Sequence, residues 1–227
     1  MINLKDLTVI FNYHKDKKQL EFVMNQWGRS DKQKHLNFIV CNTGPKSDPI
    51  DIDFLKKTKF NIKVLELDNY KPFNMPLGKN VSVKECITKW MFITDPDRFL
   101  SSDCLDKITN LTLDEDYAYD FQDFYYDVDN DCILKPSWHP NTFLITKNYY
   151  ESVSGYNEIF CGNYGYDDTE FRSRMKIARL NLHTYHHHLP EDRVRDSSKN
   201  LEILRKIKFM PIYNFTDTYK IVAEIGN

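Results

Sequence analysis

Hydrophobic residues in the first hundred positions are concentrated in four short runs. The runs lie at Leu7–Phe11, Leu36–Cys41, Ile62–Leu67 and Trp90–Thr94. A continuous apolar run of this length is typical of a strand that is buried on both faces of a sheet. The pattern therefore predicts four buried strands in this part of the chain.

Between these runs the apolar residues recur at helical spacing. Such spacing places them on one side of a helix. The first predicted helix ends near Gly28, and the second leads into the run at Trp90. Their apolar positions are Leu20, Val23, Met24 and Trp27 in the first, and Val83, Cys86, Ile87 and Trp90 in the second. Strands that alternate with helices predict a mainly parallel sheet with helices on both faces.

The second half of the chain has a different pattern. Ser101 or Ser102 is a suitable cap for a short helix, and aromatic and acidic residues alternate over Tyr117–Val128 as in antiparallel strands. Further predicted elements are a strand at Thr142–Ile145, a helix from Asp168 carrying Phe171, Met175 and Ala178, a strand at Asn181–His188, a helix at Ser198–Phe209 and a loop or edge strand after Pro211. We therefore expect a smaller antiparallel part after the parallel sheet.

Composition and charge narrow the class of protein. The chain has 227 residues, a formal net charge of -2 and 41% hydrophobic residues, which indicates a folded domain without a general attraction to nucleic acid. Its five cysteines are scattered and include no C-x-x-C pair, which favours a reducing compartment. No signal-peptide pattern and no membrane-spanning apolar run is present, so a cytoplasmic protein is expected.

Two carboxylates follow the fourth predicted strand, in Asp95-Pro96-Asp97. Ligands of open α/β sheets bind beyond the carboxyl ends of the strands. Carboxylate oxygens at this position can hold a divalent cation, which would in turn neutralise the diphosphate of a leaving nucleotide. The alternative is an ordinary turn, since Asp and Pro are common turn residues.

A glycine-rich and aromatic stretch leads into adjacent acids at a predicted helix start, over Gly155–Arg172. Tyr164 and Tyr166 offer flat faces for a sugar ring, and Asp167 and Asp168 are placed to accept a proton from a hydroxyl group. The alternative is structural: acids in a first turn oppose the helix dipole, and Asp168 with Arg172 forms an i,i+4 pair.

A histidine run after this helix supplies candidate metal ligands. It comprises His183, His186, His187 and His188. Imidazole binds Mn²⁺, but alternate residues of a strand face opposite ways, so part of the run must point elsewhere.

Together these segments resemble the GT-A glycosyltransferases, in particular family 2 and the β-1,4-galactosyltransferase group. The resemblance covers about Leu7 to Arg193 and is most specific over Gly155–Arg172, which is similar to the family's glycine, aromatic and Glu-Asp signature. The stretch Phe73–Asp97 resembles the family region before its D-x-D motif. The second strand departs from the family, since Cys41-Asn42-Thr43-Gly44 stands where an Asp-Asp-Gly-Ser type turn is usual.

The resemblance implies one α/β GT-A domain over residues 1–227, with a mostly parallel, Rossmann-like central sheet flanked by helices. Residues 1–97 would bind the nucleotide sugar, and residues 98–227 the acceptor. It implies Asp168 as the catalytic base. Acceptor contacts would come from Asp167, with the aromatic residues Tyr164, Tyr166 and Trp138 beside it. The implied donor-binding residues are Phe11, Asn12, Asn42, Lys79, Asn80 and Asp95. The implied metal ligands are Asp95, Asp97 and a histidine of the run, with His186 and His188 as candidates and His187 not distinguished from them.

The implied reaction transfers a sugar, with inversion, from a nucleotide diphosphate sugar to a hydroxyl acceptor with the help of Mn²⁺ or Mg²⁺. A UDP-sugar is the favoured donor. The acceptor would be a saccharide or another hydroxyl compound, with modified DNA as a narrower case. Two alternatives remain at this stage: a nucleotidyltransferase on a related fold, and a catalytically silent module that binds carbohydrate or protein.

Overall fold

The computed structural model describes residues 1–29, 31–68, 70–127, 132–187, 195–207, 212, 214 and 218–226. These residues form one mixed sheet of nine strands. In chain order the strands are β1 (Leu7–Tyr13), β2 (Asn37–Asn42), β3 (Asn61–Leu67), β4 (Trp90–Ile93), β5 (Arg98–Leu100), β6 (Ala118–Asp127), β7 (Cys132–Thr146), β8 (Ile177–His187) and β9 (Tyr219–Ile225).

Seven α-helices pack around this sheet within the same described residues. They are α1 (Lys17–Trp27), α2 (Ile52–Lys56), α3 (Met75–Glu85), α4 (Ser102–Thr109), α5 (Lys147–Ser152), α6 (Asp167–Ser173) and α7 (Ser198–Ile207). In this described part of the chain, no helix has both the length and the apolar character that crossing a membrane requires.

The strand order is β5-β8-β6-β7-β4-β1-β2-β3-β9. Its central part is parallel, because β1 pairs in parallel with both β2 and β4, and β2 pairs in parallel with β3. β7 joins antiparallel to β4, β6 joins antiparallel to β7, and β9 closes the far edge antiparallel to β3. The expected mostly parallel sheet with an antiparallel part in the second half is confirmed.

Hydrophobic cores lie on both faces of the sheet, which explains why the strands are apolar throughout. Within β1, Val9 and Phe11 belong to one core, while Ile10 between them belongs to the other. Since both faces are covered, every residue of β1 is buried. Continuous apolar runs are therefore what this fold requires of its central strands.

Two helix predictions need correction. The second helix, α3, ends at Glu85, so Cys86 caps it and Ile87 is exposed; the spacing of Val83, Cys86, Ile87 and Trp90 spanned the junction with β4. The helix α6 ends at Ser173, and Ala178 already belongs to β8. In both cases a helical period continued by coincidence into a strand.

The carboxyl ends of the parallel strands meet at one edge of the sheet, as the topology requires. Asn12 near the end of β1 and Asp95 just after β4 reach this edge. Helix α3 approaches closely at Gly78, where a Cβ atom would lie 2.5 Å from Asn12 Oδ1 and 2.5 Å from Thr43 Cγ2. A glycine there lets the helix pack against the strand ends, and so forms one wall of a cleft.

Candidate active site

A cleft of about 470 Å³ opens at this edge of the sheet. Acidic residues from distant parts of the sequence meet there: Asp95 and Asp97 from the first motif, and Asp167 and Asp168 from the second. The other lining residues are Asn12, His14, Asp16, Gln19, Phe73, Met75, Pro96, Arg98, His139, Pro140, Asn141, Asn163, Tyr164, Gly165, His186 and Arg195. The fold thus brings the two acidic motifs of the sequence into one cavity.

Arg98 lies at the centre of the Asp95-Pro96-Asp97 motif. Its Nη1 atom is 2.5 Å from Asp97 Oδ1 and 3.6 Å from Asp95 Oδ2, and its Nη2 atom is 3.3 Å from Asp123 Oδ2. Burial alone would raise the pKa of Asp97, but Arg98 and then His186 outweigh burial and hold that pKa below its usual range. Asp97 is therefore a carboxylate at neutral pH, as a cation ligand must be.

Strand register explains how these residues meet. β5 pairs with β8 so that Arg98 lies beside His186, and β6 pairs with β8 so that Asp123 lies beside Thr184. His186 Nε2 is 2.9 Å from Asp97 Oδ2, while Thr184 Oγ1 donates a hydrogen bond of 2.9 Å to Asp123 Oδ1. The pairing of three strands therefore builds a buried polar network below the motif.

His139 is a further side chain at the same motif. The backbone N–H of Asn141 donates to His139 Nδ1 at 3.2 Å, which leaves Nε2 directed towards Asp95 Oδ2, 3.8 Å away. Burial, and then the positive charge of Arg98, lower the pKa of His139 to about 4. The ring is therefore neutral at pH 7 and carries its proton on Nε2, facing the cleft.

Lys79 lies behind Asp95 rather than in the cleft. Its side chain is completely buried, with Nζ 3.1 Å from Asn141 Oδ1, 3.4 Å from Tyr156 OH and 3.6 Å from Asp95 Oδ1. Asp95 Oδ1 is itself buried and has no hydrogen-bond partner among the described residues. Lys79 is therefore a buried counter-charge next to Asp95, and its contact with the donor stays a prediction.

The substitution Lys79→Met is expected to lower the free energy of unfolding by about 3 kcal/mol, because it removes the buried cation behind Asp95 and leaves Arg98 to compensate that carboxylate. Urea unfolding followed by circular dichroism measures the change. Lys84→Met on the exposed side of the same helix is the matched control and should change it by less than about 0.5 kcal/mol. Equal effects of the two variants would contradict the assigned role of Lys79.

The acids of the second motif lie at the start of α6. Tyr166, the residue before the helix, has a left-handed backbone with φ 65°, which costs energy for a residue other than glycine. Asp168 Oδ1 accepts a hydrogen bond of 2.6 Å from the backbone N–H of Thr169. Arg172 does not pair with Asp168 as its spacing suggested, because it forms a bidentate pair with Asp120 at 2.6 and 2.8 Å. Asp168 therefore faces the cleft without that arginine.

Asp167 has an unusual acidity. Burial first, and then the neighbouring charge of Asp168, raise its pKa from 3.8 to about 6. Between pH 4 and 6 the unfolded chain loses this proton while the folded chain keeps it. The free energy of unfolding therefore falls as the pH rises through that window, and the loss is complete above pH 6.

The substitution Asp167→Asn removes the loss of stability that comes from ionising the Asp167 carboxyl group. We expect it to raise the free energy of unfolding by about 2 kcal/mol at pH 7 and to change it little at pH 4. Urea unfolding of both proteins at the two pH values is the measurement, with Asp103→Asn on the exposed side of α4 as the control. A variant that is no more stable than the parent at pH 7 would contradict the raised pKa.

The three aromatic residues predicted to contact the acceptor differ in their position relative to the cleft. Tyr164 lines the cleft, where the guanidinium carbon of Arg195 lies 5.5 Å from its ring centroid. Tyr166 is absent from the described lining of the cleft. Trp138 is also absent from it, but it adjoins His139, is 41% exposed and lies under the guanidinium of Arg179 at 4.5 Å. Tyr164 is thus inside the cavity and Trp138 is on the surface beside it.

The residues predicted to bind the donor also differ in whether they line the cleft. Asn12 lines the cleft, and its Nδ2 atom donates to Met75 O at 2.9 Å. Phe11 is fully buried in the core, and the amide oxygen of Asn42 accepts a local hydrogen bond from the N–H of Gly44 at 2.9 Å. The described lining of the cleft includes neither of them. Phe11 precedes Asn12 in β1 and Asn42 lies on the neighbouring strand β2, so both are adjacent to the cleft wall that Asn12 forms.

Asn80 has a bracing position outside the described lining of the cleft. Its Nδ2 atom donates to Tyr156 O at 2.9 Å and to Glu158 Oε1 at 2.7 Å, and its Oδ1 atom accepts from Tyr150 OH at 2.6 Å. The side chain therefore ties α3 to the segment before α6. The assignment of Asn80 to the donor stays a prediction.

Of the predicted histidine ligands, His186 reaches the cleft and His188 lies outside the described residues. Within the described residues, no group of three or more His, Cys, Asp or Glu side chains is arranged to enclose a metal ion. A cation at this site would therefore need further oxygen ligands from a substrate or from water, as is usual where a metal binds nucleotide phosphates.

Sequence reasoning gave no role to Arg98, Asp123 or Arg195, and it did not place His139 at Asp95. Asp123 and His139 belong to strands whose partners are distant in the sequence. Of these residues, Arg98 could have been identified from the sequence, since it directly follows the acidic motif. A cation beside two carboxylates indicates charge compensation, which was a usable signal.

Comparison with solved structures identifies the fold as GT-A. Residues 1–349 of TarS from S. aureus in complex with UDP-GlcNAc match with a TM-score of 0.68, 14% identity, and coverage of 88% of this chain and 65% of that one. GalNAc-T7 with UDP, GalNAc and Mn²⁺ matches with a TM-score of 0.61, 10% identity, and coverage of 82% of this chain and 44% of that one. The mannosyltransferase PcManGT from Pyrobaculum calidifontis, in complex with GDP-Man and Mn²⁺, matches with a TM-score of 0.60, 11% identity and coverage of 82% and 58%.

The chain thus spans less than two thirds of the length of each of these structures. No protein-family model and no curated protein matches the sequence. At these identities the similarity lies in the fold.

Proposed function

We propose that this protein is a divalent-metal-dependent glycosyltransferase that moves a sugar, with inversion, from a nucleoside diphosphate sugar to a hydroxyl acceptor. The observation that carries the proposal is the meeting of Asp97 and Asp168 in one cleft at the carboxyl edge of a GT-A sheet. The solved neighbours with this fold hold UDP-GlcNAc, UDP or GDP-Man, which supports a nucleotide sugar as the donor, with UDP favoured.

The residues at the Asp95-Pro96-Asp97 motif fit a divalent cation. Asp95 and Asp97 supply carboxylate oxygens at the cleft, and His186 supplies an imidazole next to Asp97. These are the donor types that Mn²⁺ and Mg²⁺ accept, and two solved neighbours contain Mn²⁺. When bound, the cation would neutralise negative charge on the departing diphosphate.

Asp168 is assigned as the general base. Its carboxylate takes the proton of the acceptor hydroxyl while that oxygen forms a bond to the anomeric carbon. The bond from the anomeric carbon to the diphosphate oxygen breaks at the same time, and its electron pair leaves with the nucleoside diphosphate. A base at this position contributes about 10²–10⁴-fold to such a step.

The remaining cleft residues bind and orient the two substrates. Asn12 and Asp95 are assigned to the donor, and His139 directs its Nε2–H to the space beside Asp95, where a phosphate oxygen of the donor is a suitable acceptor. Asp167 and Tyr164 are assigned to the acceptor inside the cleft, and Trp138 to its outer part. The exposed ring of Trp138 is suited to stacking on a sugar.

The test combines binding with product analysis. Thermal unfolding is followed with UDP-GlcNAc, other UDP-sugars and GDP-Man, each with and without Mn²⁺. A donor at a hundred times its Kd adds about 2.7 kcal/mol to the free energy of unfolding, which is a rise in Tm of roughly 5–10 °C for a chain of this size.

The product then identifies the reaction. Release of the nucleoside diphosphate supports sugar transfer, whereas release of pyrophosphate would identify a nucleotidyltransferase. If no nucleotide sugar changes the Tm in the presence of Mn²⁺, the chain is not this enzyme, and a module that binds carbohydrate or protein becomes the better interpretation.

A further inference from the structure

Helix α7 carries a buried amide that contacts the loop preceding Asp167 and Asp168. Asn200 is completely buried, and it is the one buried side chain among the described residues of α7. Its Nδ2 atom lies 2.7 Å from Gly165 O, 2.9 Å from Asn163 O and 3.3 Å from Phe160 O. One side chain of the helix therefore bonds to carbonyl groups of a single loop 35 to 40 residues earlier in the chain.

This loop connects a 3-10 turn at Glu158–Phe160 to the start of α6. It supplies Asn163, Tyr164 and Gly165 to the cleft lining. Its backbone is in the left-handed region at Gly162, Gly165 and Tyr166, with φ of 101°, 84° and 65°. The loop has two backbone hydrogen bonds of its own, from Cys161 N to Glu158 O and from Asn163 N to Phe160 O, so contacts from other elements contribute to fixing the rest of it.

The chemistry of the amide supports this role. Three carbonyl oxygens surround Nδ2, so a carboxylate or an apolar group in its place could not donate to them. Asn200 Oδ1 is buried and has no hydrogen-bond partner among the described residues, which is unfavourable for stability by itself. A buried leucine would avoid that cost, so the contribution of the asparagine lies in donation to the loop.

A second contact joins the same two segments. Arg195, three residues before the first residue of α7, has Nη1 3.4 Å from Tyr164 OH and its guanidinium over the Tyr164 ring. The segment around α7 therefore contacts the loop at its backbone through Asn200 and at its aromatic side chain through Arg195.

We propose that Asn200 is a positioning residue of the active site, and that through it α7 sets the direction in which Asp167 and Asp168 enter the cleft. The effect on catalysis rests on the proposed function, whereas the effect on the loop does not. The loop ends at Tyr166 and α6 begins at Asp167, so a displaced loop displaces both acids. A shift of about 1 Å in such groups is enough to reduce turnover by about a hundredfold.

The first test is independent of any substrate. Hydrogen exchange followed by mass spectrometry is compared for the full-length parent, Asn200→Leu and Asn200→Ser. The Leu variant keeps a similar side-chain volume but removes the hydrogen-bond donor. The Ser variant has a shorter side chain but retains a hydroxyl donor. We expect exchange in residues 161–168 to become at least about tenfold faster in the Leu variant and less so in the Ser variant, with residues 7–13 of β1 unchanged.

Leu204→Ala is the matched control. Leu204 lies one turn further along α7 on the same side of the helix, is half-buried and carries no donor. It is expected to lower the Tm while leaving exchange in residues 161–168 close to that of the parent. Equal acceleration by Leu204→Ala, or unchanged exchange in both Asn200 variants, would overturn the proposal.

The second test measures Mn²⁺-dependent release of UDP from UDP-GlcNAc. We expect Asn200→Leu to lower kcat by about a hundredfold with the Kd for UDP unchanged, because Asn12 and Asp95 do not belong to the loop. A loss confined to the Kd for UDP would contradict the positioning role. Absence of UDP release by the parent would count against UDP-GlcNAc as the donor, absence of release from every nucleotide sugar would count against the proposed function, and the exchange result would still decide the role of Asn200.

Discussion

Asp168→Asn is expected to reduce sugar transfer by about a thousandfold while leaving the affinity for the nucleotide unchanged. Asparagine keeps the size of the side chain and its hydrogen bond from Thr169, but it cannot take the proton of the acceptor hydroxyl. The measurement is the initial rate of transfer from the donor found by thermal unfolding, together with the Kd for the nucleoside diphosphate from calorimetry. The expected change is therefore in kcat.

Asp167→Asn is the matched control for this prediction, since it alters the adjacent acid on the same helix turn. Asp167 is assigned to acceptor binding, so its variant should raise the KM for the acceptor more than it lowers kcat. If Asp168→Asn retained near-normal transfer while Asp167→Asn lost it, the base would be Asp167, whose pKa of about 6 is compatible with that role.

Asp97→Asn is expected to abolish the Mn²⁺-dependent rise in Tm with a nucleotide sugar and to lower turnover by about a thousandfold, since the cation would lose an anionic ligand where charge develops on the leaving group. The substitution also leaves Arg98 without its closest carboxylate and His186 without its partner at 2.9 Å. Thermal unfolding with and without Mn²⁺ and nucleotide sugar measures the binding part.

The control must separate lost metal binding from lost stability. Lys79→Met serves here, because it is expected to destabilise the fold from behind the same motif without removing a carboxylate. Its Tm should be lower than that of the parent, yet should still rise when Mn²⁺ and the nucleotide sugar are added together. A Mn²⁺-dependent rise that persisted in Asp97→Asn would remove Asp97 from the metal ligands.

The polar network around Arg98 has a consequence for how the metal binds. Arg98 already compensates part of the charge of Asp95, Asp97 and Asp123, so these carboxylates do not present their full charge to a cation. A weak cation site that is completed by the diphosphate of the donor is the expected result. This agrees with the proposed test, in which Mn²⁺ and the nucleotide sugar are added together.

The sequence by itself determined the parts of this protein that depend on local patterns. Buried strands must be apolar on both faces, so β1, β2, β3 and β4 could be predicted from their runs. The end of β4 placed Asp95 and Asp97 at the carboxyl edge of a parallel sheet, and the glycines and acids before α6 indicated a second motif. Each of these inferences needed at most about twenty consecutive residues.

The tertiary structure alone decided which side chains meet. Arg98, Asp123 and His186 become neighbours because β5, β8 and β6 lie side by side, and no local pattern encodes that strand order. The same holds for Asn80, whose partners are about 70 to 78 residues away, and for Asn200, whose partners are 35 to 40 residues away. Residue type and spacing limit the chemistry that is available, but long-range packing selects which of those residues face the cleft and which hold it in shape.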